Sequence, residues 1–154
     1  MKRLLVLATA VLFVVSLPST ADAQSRIAIG PRVGIDAGDV EEPFIGADVR
    51  IGLTGSPISI NPTFDYYFVD DPETFWSLST NALYRFGSGV GAGLYRTSVD
   101  GGDSSTNLGL NALFGAEFLV GSVRPFVEAQ YSPVFTDGNT TSLFSVKGGL
   151  LIDL

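Results

Sequence analysis

Between Arg26 and Leu154, apolar residues return at every second position in one segment after another. Ile27, Ile29, Pro31, Val33 and Ile35 alternate with Ala28, Gly30, Arg32, Gly34 and Asp36. Later, Leu108, Leu110, Ala112, Phe114, Ala116 and Phe118 alternate with Gly109, Asn111, Leu113, Gly115 and Glu117. A period of two is the signature of a β-strand with one apolar face. Eight such runs are spelled out, near residues 26–37, 45–53, 58–68, 76–86, 90–95, 108–118, 123–132 and 143–154. Turn-forming clusters separate them, among them Thr54-Gly55-Ser56-Pro57, Gly87-Ser88-Gly89 and Asp137-Gly138-Asn139. No helical period and no heptad appears. The pattern predicts an all-β chain of eight antiparallel strands in up-and-down order. Each strand would hold roughly ten residues, the span a tilted strand needs to cross hydrocarbon. The turns after strands two, four and six are expected to be short. The loops after strands one, three, five and seven are expected to be longer and acidic.

The first residues read differently. Lys2 and Arg3 precede the apolar run Leu4–Leu17, Pro18 to Thr20 breaks it, and Ala21-Asp22-Ala23 offers a small-x-small cleavage site. This is the layout of a secretory signal peptide, which divides the chain into a leader, 1–23, and one domain, 24–154. Beyond the leader no apolar run is long enough for a spanning helix. A closed barrel is the other structure that satisfies every backbone group in lipid.

The polar face tells a transmembrane barrel from a soluble one. A water-facing surface should be rich in Lys and Glu, yet Lys147 is the one lysine after the leader. The face carries Gly, Ser and Asn instead, which suit the cramped interior of an eight-stranded barrel. Its charges come in both signs. Arg32, Asp48, Arg50, Asp65, Arg85, Glu128 and Lys147 are expected to form an ion-pair network plugging the lumen, since buried charges persist when paired. Arg26, Asp36, Glu117 and Arg124 lie near strand ends and read as solvated rim residues. On the apolar face, Tyr66, Phe68, Trp76, Tyr131 and Phe144 fall near the loop ends, and Tyr84, Phe86 and Phe118 near the turn ends. Two aromatic belts around an aliphatic band mark the two interfaces of a membrane.

The last eight residues, Lys147-Gly148-Gly149-Leu150-Leu151-Ile152-Asp153-Leu154, order polar, glycine and alternating apolar positions in a way that resembles the C-terminal signal of outer-membrane β-barrels. The residues that match are Lys147, Gly149, Ile152 and Leu154, with Leu154 where the family usually has Phe or Trp. With the leader and the alternation, the chain resembles the small eight-stranded barrels of the OmpA membrane-domain and OmpX type. The resemblance implies outer-membrane location, contact with outer-membrane lipid, assembly by the barrel-insertion machinery, and a monomer.

Chemistry is limited by what the sequence lacks. With no His and no Cys, neither a Ser-His-Asp nor a Cys-His arrangement can form, nor can a His or thiolate metal site. Asp100-Gly101-Gly102-Asp103 and Asp137-Gly138-Asn139 read as turns. No catalytic, cofactor or metal residue is expected. The formal net charge of −7 leaves no footprint for nucleic acid. The expected function is a non-enzymatic envelope barrel with a plugged lumen. A narrow pore and a lipocalin-like periplasmic carrier of an apolar ligand remain the alternatives.

Overall fold

The computed structural model describes residues 26–85 and 87–154. Eight strands follow one another: β1 (Ile27–Asp36), β2 (Pro43–Gly52), β3 (Ile58–Tyr67), β4 (Glu73–Tyr84), β5 (Ser88–Val99), β6 (Ser104–Glu117), β7 (Val123–Thr136) and β8 (Asn139–Asp153). Each pairs antiparallel with its neighbour in sequence, and β8 returns to β1 to close the barrel. Closure removes the two free edges that an open sheet would have. At the seam Ala28 faces Asp153 and Arg32 faces Gly149, and the Leu154 N–H donates to the Ile27 carbonyl at 2.9 Å. The expected leader, 1–23, and Phe86 lie outside the described residues.

The alternation sorts the two faces as the sequence requires. Arg32, Asp48, Asn61, Asn81, Asn111, Glu128 and Lys147 point inward and are buried, while Val33, Leu78, Val90, Leu110, Val127 and Leu150 point outward and are exposed. A soluble carrier would place these faces the other way round. Pro62 has no N–H for the ladder, and the β2–β3 pairing is interrupted there, between Asp48↔Thr63 and Ile51↔Ile60. The Asn61 amide covers part of that gap by donating to the Val49 carbonyl at 2.8 Å.

The connections correct one expectation. At one end of the barrel, the loop end, they are residues 37–42, 68–72, 100–103 and 137–138; at the other, the turn end, they are 53–57, 85–87 and 118–122. The two sets overlap in length. The expected loop after β7, Asp137–Thr141, is instead a tight hairpin with Gly138 at φ +85° and Thr136 opposite Asn139. Asymmetry lies in the strands: β1 to β3 have 10 residues each, whereas β6 and β7 have 14 and β8 has 15. Extended pairing continues where Thr, Ser and Asn were read as loop. These residues tolerate a solvated ladder as well as a turn, so sequence pattern alone did not separate the two. The three longest strands, β6 to β8, therefore lie side by side in the wall.

Candidate functional site

The lumen is the place where this chain concentrates polar chemistry, and it is filled. Arg32 on β1 reaches across β2 to Asp65 on β3, with Nε to Oδ1 at 2.7 Å and a second, very short contact from Nη2 to Oδ2. Its Nη1 also donates to Asp48 Oδ2 at 3.3 Å. The crossing is possible because the residue between them, in register with both, is Gly46. A Cβ there would collide with Asp65 Oδ1 and the Phe64 carbonyl.

Arg50 makes the longer span. It donates to Asp48 Oδ1 at 3.1 Å on its own strand, to Glu117 Oε2 on β6 at 2.6 Å, and to Glu128 Oε2 on β7 at 2.6 Å. In a ring of eight strands β2 and β6 are opposite walls, so one guanidinium bridges the interior. Its planar fork of donors suits this task better than a lysine would. Its Cζ also sits 4.4 Å from the centre of the Phe126 ring, a favourable cation–π geometry. Lys147 completes this layer, with Nζ against Gln130 Oε1 in a very short contact and 3.6 Å from Glu128 Oε1.

Beside the charges runs a ladder of amides. Asn61 donates to Asp48 Oδ1 at 2.8 Å, Asn81 to Asn61 at 3.2 Å, and Asn111 to Asn81 at 2.9 Å. The last step jumps β5, where Gly91 is in register with both asparagines. Tyr95 and Ser132 then donate to Asn111 Oδ1 at 2.7 and 2.9 Å. Above this ladder lies an apolar cluster, Phe44, Tyr67, Phe75, Tyr95, Val134 and Leu143, which the sequence reading had not assembled. The rings of Tyr67 and Phe75 lie 4.6 Å apart, and those of Phe44 and Tyr67 4.9 Å. Alternation had put Tyr67 and Tyr95 inward, but no local signal told that four strands would bring their rings together.

Six of the seven residues named for the network, Arg32, Asp48, Arg50, Asp65, Glu128 and Lys147, meet in this one cluster. Arg85 does not. It lies exposed in the β4–β5 turn at φ +49°, its Nε donating to the Tyr84 hydroxyl at 2.9 Å. The tight turn turns its side chain outward, away from the polar face to which alternation assigned it. Two residues read as solvated rim belong to the cluster instead. Glu117 accepts from Arg50 and from Arg124, the latter at 2.8 Å, and Arg124 also lies 2.7 Å from Asp153. The signal available was opposite charge on the same face of adjacent strands. Asp36 is also buried, and its partners among the described residues are not cations. Its Oδ2 accepts from the N–H groups of Gly38, Val40 and Glu41 at 3.1 to 3.2 Å and so shapes the first loop. Arg26 is exposed.

On the outside, Tyr66, Phe68, Tyr84, Phe118, Tyr131 and Phe144 are exposed, and Trp76 is half-buried beside Phe64 at 6.0 Å. Tyr66 and Phe68 meet edge-on at 5.9 Å. Phe114, not among the belt residues, is the most exposed of the outward aromatics named here, at 76%. Of the C-terminal residues, Lys147 is in the lumen cluster, Gly149 faces Arg32 and Phe126, and Ile152 and Leu154 are exposed. Val49, assigned to the outer face by alternation, is 7% exposed.

No protein-family model matches the chain, and no curated protein matches its sequence. Solved structures do. Neisserial surface protein A aligns at TM-score 0.59 and 16% identity, over 82% of this chain and 95% of that one. The N-terminal β-barrel domain of Pseudomonas aeruginosa OprF aligns at TM-score 0.59 and 14% identity, over 86% of this chain and 100% of that one. A transmembrane β-barrel designed de novo aligns at TM-score 0.55 and 12% identity, over 86% of this chain and 98% of that one. A designed protein shares no ancestry with this chain, so the match is to the fold. The chain has the eight-stranded architecture of small outer-membrane barrels and resembles them over most of its length.

Proposed function

We propose that this chain is an integral protein of the bacterial outer membrane, a non-enzymatic and non-conducting barrel that serves the envelope as a structural element. The observation that supports this most is the outer surface. Val33, Val90, Leu94, Leu108, Leu110, Val127, Leu150 and Ile152 are all 46% exposed or more, from β1 through β5 and β6 to β8. Monomeric soluble proteins rarely expose contiguous apolar surface on this scale. In a bilayer the same girdle faces hydrocarbon, with aromatic side chains toward both rims. The partners are then outer-membrane lipid and, during assembly, the insertion machinery, which would read Lys147, Gly149, Ile152 and Leu154. A complete barrel of this size works as a monomer.

Silence in conductance follows from Arg50, whose pairs reach from one wall to the opposite one. Asp48, Asp65, Glu117 and Glu128 are engaged by Arg32, Arg50, Arg124 and Lys147, and the sequence holds no His or Cys, which supports a role without general-base catalysis.

The test uses the membrane fraction, run on a detergent gel with and without boiling. A folded barrel is expected to migrate differently until heated. A chain found in the soluble fraction with no heat-dependent shift would sink the reading. Planar-bilayer recording then separates plug from pore: stepwise conductance would replace the structural role by a narrow channel.

A further inference from the structure

We infer that the loop end of the barrel holds a binding site for an organic cation with an aromatic or branched apolar body. A cavity of about 490 Å³ opens there, lined by the β1–β2 and β3–β4 connections and by residues of β4 to β8. That volume lies within the range of sites that hold small molecules. Its floor is the apolar cluster, with Phe75, Tyr95, Val134 and Leu143 contributing. Its rim is acidic: Asp39, Glu42, Asp70, Asp71 and Glu73 line the same space.

Floor and rim together define the ligand. An anion meets a rim of one sign, and a concave, low-dielectric cleft focuses that field. A neutral apolar molecule gains from the floor alone. A metal ion needs converging oxygen ligands, and among the described residues no three acidic groups come together as such a set. The acids are spread around the opening instead, which favours a diffuse positive charge over a point charge. A quaternary or protonated amine on an apolar body uses both features. The apolar body packs on the floor that Phe75, Tyr95, Val134 and Leu143 form, and the charge sits among the carboxylates of the rim. Tyr95 is fixed in the floor by its hydroxyl, which donates to Asn111. The site does not depend on which side of a membrane the loop end meets, so it stands or falls separately from the proposed location.

The experiment takes the refolded barrel in a non-ionic maltoside detergent and titrates benzyltrimethylammonium by calorimetry, with benzyl alcohol and benzoate as neutral and anionic probes of similar ring size. Saturable binding of the ammonium, weak or absent for the other two, is expected. Asp71→Asn with Glu73→Gln should weaken it about tenfold, the combined effect of two exposed charges. Val134→Phe, which fills the floor and leaves the rim intact, should abolish it. The heat-dependent gel shift reports whether each variant is folded, and the conservative rim pair keeps the test usable if the floor variant is not. Equal binding of benzyl alcohol, no saturable binding of the ammonium by the unaltered protein, or displacement of the ammonium by stoichiometric Ca²⁺ would each overturn the site.

Discussion

The two halves of the lumen are closed by different physics. One part is held by charge, with Arg32, Arg50, Arg124 and Lys147 set among Asp48, Asp65, Glu117, Glu128 and Asp153. The half nearer the loop end is closed by rings and aliphatic side chains, Phe44, Tyr67, Phe75, Tyr95, Val134 and Leu143. Charge bridges distance: one guanidinium ties β2 to β6 and β7, because hydrogen bonds with ionised partners are strong and directional. Rings fill space but stop where the rim widens, and the cavity at the loop end begins there. The charged part therefore ties opposite strands to each other, while the apolar part packs beneath the loop end. The charged half has a matching weakness, since removing one partner strands the others in a medium that penalises them.

The comparison can be broken most severely at Arg50. Arg50→Met leaves Glu117 and Glu128 without their shared cation, and should cost about 3–5 kcal/mol, read as a shift in a urea refolding titration into lipid vesicles. If the variant refolds like the unaltered chain, the charged half does not hold the barrel together. On the apolar half, Phe75→Ala should cost about 3 kcal/mol, the low end for a buried ring near a wet cavity. It should leave planar-bilayer recordings silent, because the charged half still seals; appearance of channels would move the seal to the rings. Leu110→Arg, on the outer face at 50% exposure, tests lipid contact, with about 2–4 kcal/mol expected if the position sits near the bilayer midplane. Gly46→Ala is subtler: a single methyl group blocks the path of Arg32 to Asp65 and should cost about 1–3 kcal/mol through overpacking. Arg85→Ala, in an exposed turn outside the cluster, should change stability by less than about 0.5 kcal/mol. A larger effect there would return Arg85 to the network.

Much of this was legible in the chain. The strict period of two decided the strands, the even count, the closed antiparallel order and the sorting of faces, because a strand offers no other way to hide one side. It also placed Arg32, Asp48, Arg50, Asp65, Glu128 and Lys147 on one face, and opposite charges on one buried face have to find each other. The limits of that reading show at particular residues. Glu117 and Arg124 looked like rim residues by their distance from strand ends, yet in a tilted barrel that distance does not measure depth, and they are partners of Arg50 and Asp153. Arg85 looked inward by parity until a positive φ in the turn reset it. Parity also placed Gly46 and Gly91 inward, but their use as gaps that let Arg32 and Asn111 cross a strand depends on the register of three strands at once. The apolar cap and the cavity above it depend on more still, on side chains brought together from six strands. Sequence by itself determined what each strand must do, because alternation is a local property. Tertiary structure alone decided who meets whom across the lumen, because that is set by register and tilt, which no single strand encodes.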